Sequence, residues 1–268
     1  MRRHINSITS LQNEKVKAMA GLLDKKHRDR NGKFIVEGVH LVQEALLAGA
    51  QVDTVVFDAE RGMPKELEAL LQEAKCELVE ASPAVMAKCT GTDTPPPIFG
   101  VVAKFERDAS SLFMDNSLVV VLDGVRDPGN VGTIIRSADA AGADAVVLGR
   151  GCVDLYNPKT VRSTMGSLFH LPIVEAELAT LLPEAKSRGI RLVGTSLQAS
   201  STCYSYDWRR SSWLLLGNES NGLSSESLQM VEENVIIPMR GGSESLNVAM
   251  AGTVLLYEAM RQRHYAEH

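Results

Sequence analysis

The chain lacks the features that make several functional classes easy to assign. Four cysteines occur in 268 residues (Cys76, Cys89, Cys152 and Cys203), and none forms a C-x-x-C pair. A zinc site needs tighter spacing and a disulfide scaffold a shorter, denser chain. The cysteines therefore read as reduced thiols of a cytoplasmic protein with no metal. No apolar run approaches the ~20 residues of a membrane span. The start, Met1-Arg2-Arg3-His4-Ile5-Asn6, lacks the apolar core of a secretory signal. A mitochondrial leader fits it weakly, because the pattern that follows already looks folded. A G-x-G-x-x-G fingerprint is missing, and so is a Walker A lysine, which disfavours nicotinamide enzymes and nucleoside triphosphatases. There is no internal repeat and no low-complexity tract.

What is present fits a globular protein: 44% hydrophobic and 23% charged residues, with a net charge of -5. That sign argues mildly against coating nucleic acid non-specifically. The average hides an asymmetry, since Arg2, Arg3, Lys15, Lys17, Lys25, Lys26, Arg28, Arg30 and Lys33 crowd the first stretch. Local basic surface governs phosphate binding more than global charge does. Lys25, Lys26, Arg28, Arg30 and Lys33 are therefore candidate contacts for the phosphates of a nucleic acid; a solvated helix face is the competing reading.

Hydrophobic periodicity predicts helices at 10–23, 39–47, 64–74 and 83–89, with strands at 34–36, 52–57, 77–79 and 98–104. Residues 25–33 read as a basic turn. This is one compact α/β unit, residues 1–105, followed by a polar linker at 106–116. From 117 to 268 the strands are stronger. Leu118 to Leu122 is a continuous apolar run, as expected of a parallel strand covered on both faces. Further strands are expected at 145–148, 190–193, 213–216 and 235–237. Helices fall between them at 131–141, 159–169, 178–188, 225–231 and 246–263. The fold class is α/β, with a parallel sheet in the second part.

Three strand ends carry polar turns, and strand ends are where α/β proteins bind ligands. The first runs Leu122-Asp123-Gly124-Val125-Arg126-Asp127-Pro128-Gly129-Asn130 and continues through Arg136. Asn130 and Arg136 are ~600° apart on a helix, so they do not stack, but both can reach one cleft if Asn130 is the cap. The second is Leu216-Gly217-Asn218-Glu219-Ser220-Asn221-Gly222-Leu223. Gly217 would admit a ligand close to the backbone, and Glu219 could pair with an arginine. The third is Ile237-Pro238-Met239-Arg240-Gly241-Gly242-Ser243-Glu244-Ser245-Leu246-Asn247, at the mouth of a long apolar helix. Ser245 and Asn247 offer polar groups where free backbone N–H groups also point outward. Each stretch taken alone also reads as ordinary surface or capping chemistry.

Together the three stretches resemble the SpoU (TrmH-type) family of RNA 2′-O-ribose methyltransferases of the SPOUT superfamily. Asn130 to Arg136 is similar to the family's Asn-x5-Arg motif. Gly217 to Leu223 resembles its Gly-x-Glu-x-x-Gly-Leu motif, and Ile237-Pro238-Met239 with Ser245-Leu246-Asn247-Val248 its third. Ala249 departs from a frequent serine. Residues 1–105, through Lys25 to Gly38, resemble the family's L30e-like substrate-binding domain.

The resemblance implies a parallel sheet with a deep trefoil knot and S-adenosyl-L-methionine as cofactor. By position, Gly217, Ile237, Leu246, Leu216 and Met239 would hold the cofactor, with Thr195 on its adenine side. Arg136 would act on the 2′-hydroxyl, oriented by Asn130, Glu219, Ser245 and Asn247. It further implies a homodimer acting on structured RNA, ribosomal RNA ahead of transfer RNA, with no DNA or membrane partner. The alternatives are a tRNA ribose methyltransferase and a catalytically inactive RNA-binding assembly factor.

Overall fold

The computed structural model describes residues 5–105 and 108–265. Arg2 and Arg3 of the basic stretch, and the start of the expected linker at Glu106, lie outside the described residues. The chain divides into two units: residues up to 105 together with 154–169, and the remainder.

The first unit contains strands β1 (Ile5–Ile8), β2 (Lys33–Glu37), β3 (Val52–Asp58), β4 (Glu77–Ala81) and β5 (Ile98–Ala103). Its helices are α1 (Glu14–Gly21), α2 (Lys25–Asn31), α3 (Val39–Leu47), α4 (Lys65–Glu73) and α5 (Pro83–Thr90). The sheet order is β1-β4-β3-β5-β2. β1, β4 and β3 run parallel, and β5 is antiparallel to both β3 and β2. Two local expectations change here. α1 starts behind Asn13, whose side chain accepts from the Lys15 N–H, so the cap is not Ser10. The stretch read as a basic turn is helix α2, because Asp24 caps its first turn and Gly32 ends it at φ 62°.

The second unit holds a fully parallel sheet of β6 (Leu118–Asp123), β7 (Ala145–Gly149), β8 (Ile173–Ala176), β9 (Arg191–Thr195), β10 (Ser201–Thr202), β11 (Ser212–Gly217) and β12 (Glu233–Ile236). Its order is β10-β12-β9-β11-β6-β7-β8. Every residue of β6 and β7 is buried, the burial that their unbroken apolar runs require. Helices α6 (Pro128–Ala140), α8 (Leu178–Ser187), α9 (Ser225–Met230) and α10 (Val248–Met260) belong to this unit. The expected linker is not free chain. Leu112 is fully buried in this unit's core, and Phe113 stacks on Trp213 with centroids 5.6 Å apart.

Residues 154–169, which leave β7 and return to β8, belong to the first unit. The helix expected at 159–169 is α7 (Pro158–Thr164), ended by Met165 at φ 50°. This segment is held by two ion pairs. Arg28 donates to Asp154 Oδ2 through Nε (3.1 Å) and Nη2 (2.6 Å), and its Nη1 donates to the Leu22 and Leu23 carbonyls. Arg162 donates to Glu37 Oε1 at 2.7 Å. Phe34 packs on Tyr156, centroids 4.6 Å apart.

Arg28 is therefore a correction to the expected RNA contacts. Its side chain is 3% exposed and its donors are spent inside the protein. Removing one partner strands a buried charge. Arg28→Ala is expected to destabilise the protein by about 3 kcal/mol in urea unfolding; a loss under about 0.5 kcal/mol, the range of ordinary surface changes, would contradict the assignment.

Candidate active site

The site is built in the second unit, at the carboxyl ends of β6 and β11. β6 ends at Asp123, whose Oδ2 accepts the Ser224 N–H at 2.8 Å. A turn follows, and Asp127 caps α6 by accepting the Asn130 N–H at 2.8 Å. Asn130 thus sits one turn inside the helix rather than at its cap. On the neighbouring strand, β11 ends at Gly217. Asn218 and Gly222 exchange backbone hydrogen bonds of 2.9 Å, which folds the intervening residues into a closed turn that presents Glu219.

Glu219 joins the two turns. Its Oε1 accepts from Asn130 Nδ2 (3.0 Å) and the Asp127 N–H (3.1 Å). Its Oε2 accepts from the Arg126 N–H (3.3 Å) and Asn218 Nδ2 (3.3 Å). Partial desolvation pushes the Glu219 carboxyl up. Hydrogen bonds from Asn130, its own backbone, Asp127 and Arg126 together more than offset this, so its pKa lies below the ordinary glutamate value. The group is a carboxylate at neutral pH, and the order it imposes is lost only as pH falls through that lowered value.

The chain of contacts continues into the third turn. Asn130 Oδ1 accepts from Asn247 Nδ2 at 3.1 Å. Asn247 is also the cap of α10, its Oδ1 accepting the Ala249 N–H at 2.9 Å. Each amide therefore has one face committed to the network, which fixes its orientation. α6 and α10 are joined again by Ser137 Oγ and Thr253 Oγ1 at 2.7 Å.

Beside Asn247 lies a cleft of about 190 Å³, lined by Thr195, Ser196, Leu197, Val235, Ile236, Ile237, Met239, Glu244, Ser245, Leu246 and Ala251. Its walls mix aliphatic side chains with hydroxyls and strand-end backbone, a surface suited to a nucleoside with an apolar body and polar edges.

Of the residues singled out in the sequence, the structure joins Asn130, Glu219 and Asn247 by hydrogen bonds. It places Thr195, Ile237, Met239, Ser245 and Leu246 around the cleft. Arg136 is exposed on α6, between buried neighbours Ile135 and Ala138, and makes no hydrogen bond or ion pair among the described residues. Leu216 is buried and, like Gly217, does not line the cleft. The space beside Gly217 is taken by its own turn, where an added Cβ would lie 2.2 Å from Gly222 C and 2.3 Å from Leu223 N.

Among the RNA candidates outside this unit, Lys26 and Arg30 are exposed. Lys25 is bound to Asp29 at 3.0 Å, and Lys33 pairs with Asp53. Asp29 also receives Lys104, and hydrogen bonds from Lys104 and then Lys25 lower its pKa to about 2. Sequence reasoning missed Ser196, Leu197, Val235, Ile236, Glu244 and Ala251. The first four follow or end strands next to residues already marked, so extending the strand-end rule by two residues would have found them. Ala251 carried no signal.

Gly217 and Gly222 make a test within one motif. Gly217→Ala would drive a Cβ into backbone and is expected to cost about 2–3 kcal/mol. Gly222→Ala meets nothing within 4 Å but keeps a φ of +69°, so its cost should stay near 1 kcal/mol. Equal unfolding midpoints for the two variants would contradict this geometry.

Known proteins resemble this chain along nearly its whole length. Residues 117–257 match the model of the SpoU rRNA Methylase family, and residues 13–100 that of the MRM3-like substrate binding domain. The chain is 38% identical over 253 residues to the Bacillus subtilis 23S rRNA (guanosine(2553)-2′-O)-methyltransferase RlmP, covering 94% of this chain and 98% of that protein. It is 36% identical to the 23S rRNA (uridine(2479)-2′-O)-methyltransferase of Streptomyces viridochromogenes, covering 90% and 86% of the two chains. Among solved structures it resembles the SpoU methyltransferase AviRb of Streptomyces viridochromogenes in complex with AdoMet. The TM-score is 0.88 at 34% identity, over 96% of this chain and 100% of that one. The chain belongs to the SpoU rRNA methylase family.

Proposed function

We propose that this protein transfers a methyl group from S-adenosylmethionine to a ribose 2′-hydroxyl of ribosomal RNA. The observation that carries this reading is the hydrogen-bonded run Glu219–Asn130–Asn247 ending beside the strand-end cleft. Relatives matched along nearly the whole chain are named for this reaction on 23S rRNA, which favours ribosomal over transfer RNA.

Thr195, Ile237, Met239 and Leu246 would hold the cofactor, with Leu216 and Gly217 shaping the site from behind. When bound, the sulfonium supplies an activated methyl. The protein's task is then to align the hydroxyl and ease loss of its proton. Arg136 does not take that proton, because guanidinium stays protonated in proteins. It binds the phosphate beside the acceptor ribose and stabilises developing oxyanion charge. Asn130, Glu219 and Asn247 hold the turns that orient it, and Ser245 faces the ribose.

In this reading the protein is a cytoplasmic homodimer with the knotted chain path of its family, and the first domain, through Lys25, Lys26, Arg30 and Lys33, contributes RNA affinity. The dimer is supported by a stripe on α10, where Met250 (51% exposed) and Tyr257 (46%) lie two turns apart on one face. The sheet order, with β9, β11 and β12 out of sequence beside β6, is in keeping with the threaded path. Among the described residues no helix is long and apolar enough to cross a membrane.

The test is incubation of the protein with unmodified 23S rRNA and labelled cofactor, then digestion to nucleosides and mass spectrometry. A 2′-O-methylnucleoside is expected; a base-methylated product would overturn the reading, and RNA binding without any product would favour an assembly factor. Arg136→Lys should lower kcat about 100-fold with cofactor affinity unchanged. Near-normal turnover would sink bidentate recognition by Arg136.

A further inference from the structure

The side chains of two arginines that follow neighbouring strands, Arg126 and Arg150, take no part in the Glu219 network. Arg126 sits in the turn after β6. Its backbone N–H is held by Glu219 Oε2, while its side chain is exposed and makes no hydrogen bond or ion pair among the described residues. It also stands just before the N-terminus of α6, a 13-residue helix. A cation there is disfavoured by the helix dipole unless an anion joins it. Arg150 is the first residue after β7. Its side chain is 86% exposed and faces Glu177 at 3.9 Å, itself 65% exposed, an ion pair that contributes little.

The two turns are fixed to each other. β6 and β7 are parallel partners up to Leu122↔Leu148, so their ends lie about 5 Å apart. The Val153 N–H donates to the Val125 carbonyl at 3.0 Å, and Cys152 Sγ donates to the Leu122 carbonyl at 3.2 Å. The backbones that carry both guanidinium groups are thus held side by side, next to the turn that Glu219 anchors. Long cations on an ordered backbone, without acidic partners of comparable order, form a surface organised for an external polyanion.

We propose that Arg126 and Arg150 form a phosphate track, engaging neighbouring phosphodiesters of the RNA strand that carries the acceptor ribose. This rests on the reading of the protein as an RNA ribose methyltransferase. Planar guanidinium forks bind phosphate in bidentate fashion without reading sequence. The track therefore positions the strand, while Arg136 acts at the reacting nucleotide.

The experiment compares wild type with Arg126→Gln, Arg150→Gln and the double variant. Binding of an unmodified 23S rRNA transcript is measured directly, with protein saturated by S-adenosylhomocysteine, between 50 and 200 mM salt. Each single variant should bind about 5-fold more weakly and flatten the slope of log K against log salt by about 0.7, the double by about 1.4. Cofactor affinity and melting temperature should stay at wild-type values, and Arg126→Lys should restore the slope. Unchanged slopes in all variants would overturn the track, as would slope changes accompanied by lost cofactor affinity. Because this readout is RNA binding, it is separable from the reading beneath it, which fails if the wild-type protein yields no ribose-methylated product.

Discussion

The Glu219 carboxylate is the constraint on which the site depends. One side chain accepts hydrogen bonds from two backbone N–H groups of the turn after β6, from an amide on α6 and from its own neighbour Asn218. It therefore ties the ends of β6 and β11 together, and through Asn130 it reaches the cap of α10. Without it, the turn after β11 would keep only Asn218 Nδ2 on the Gly124 carbonyl and the Ser224 N–H on Asp123 as hydrogen bonds to the end of β6 and its turn, and Asn130 would lose its link to β11. The closed turn 217–222 exists to present this carboxylate, and Gly217 is glycine because no Cβ fits beneath that turn. The charge state needs no switching, since the donors around Glu219 keep its pKa depressed. It acts as a fixed strut rather than as a proton carrier.

The same logic appears in the first unit with a different residue. Arg28 spends its donors on Asp154 and on two carbonyls, and thereby fixes a segment that sequence order assigns to the second half of the chain. A consequence follows for dissecting the protein. Deleting residues up to 105 would leave Asp154 and Arg162 without their partners and expose Tyr156, so such a truncation disturbs more than RNA affinity. Substitutions on exposed side chains such as Lys26 and Arg30 leave that core intact.

Much of this was legible in the sequence, for identifiable reasons. Unbroken apolar runs such as 118–122 marked the central parallel strands because those strands are covered on both faces. The three polar turns stood out because each follows such a run, and Asn130, Glu219 and Asn247 came from them. What the sequence withheld was wiring. Arg28 looked like one more cation in a basic tract, and its partner lies 126 residues away. The short strands β1, β8 and β10 escaped because four residues or fewer carry too little periodicity. Asn13 displaced Ser10 as a cap, and Asn130 moved inside its helix, because competing capping residues nearby cannot be ranked from spacing alone.

The central claim is that the three turns act as one unit through Glu219 and Asn130. A double-mutant cycle with Glu219→Gln and Asn247→Ser, read in kcat for ribose methylation, tests it most directly. Serine preserves the α10 cap but removes the amide that donates to Asn130. The two substitutions should be non-additive by about 1 kcal/mol or more, roughly 5-fold in rate. Strict additivity would mean that the turns contribute independently, and would contradict the account.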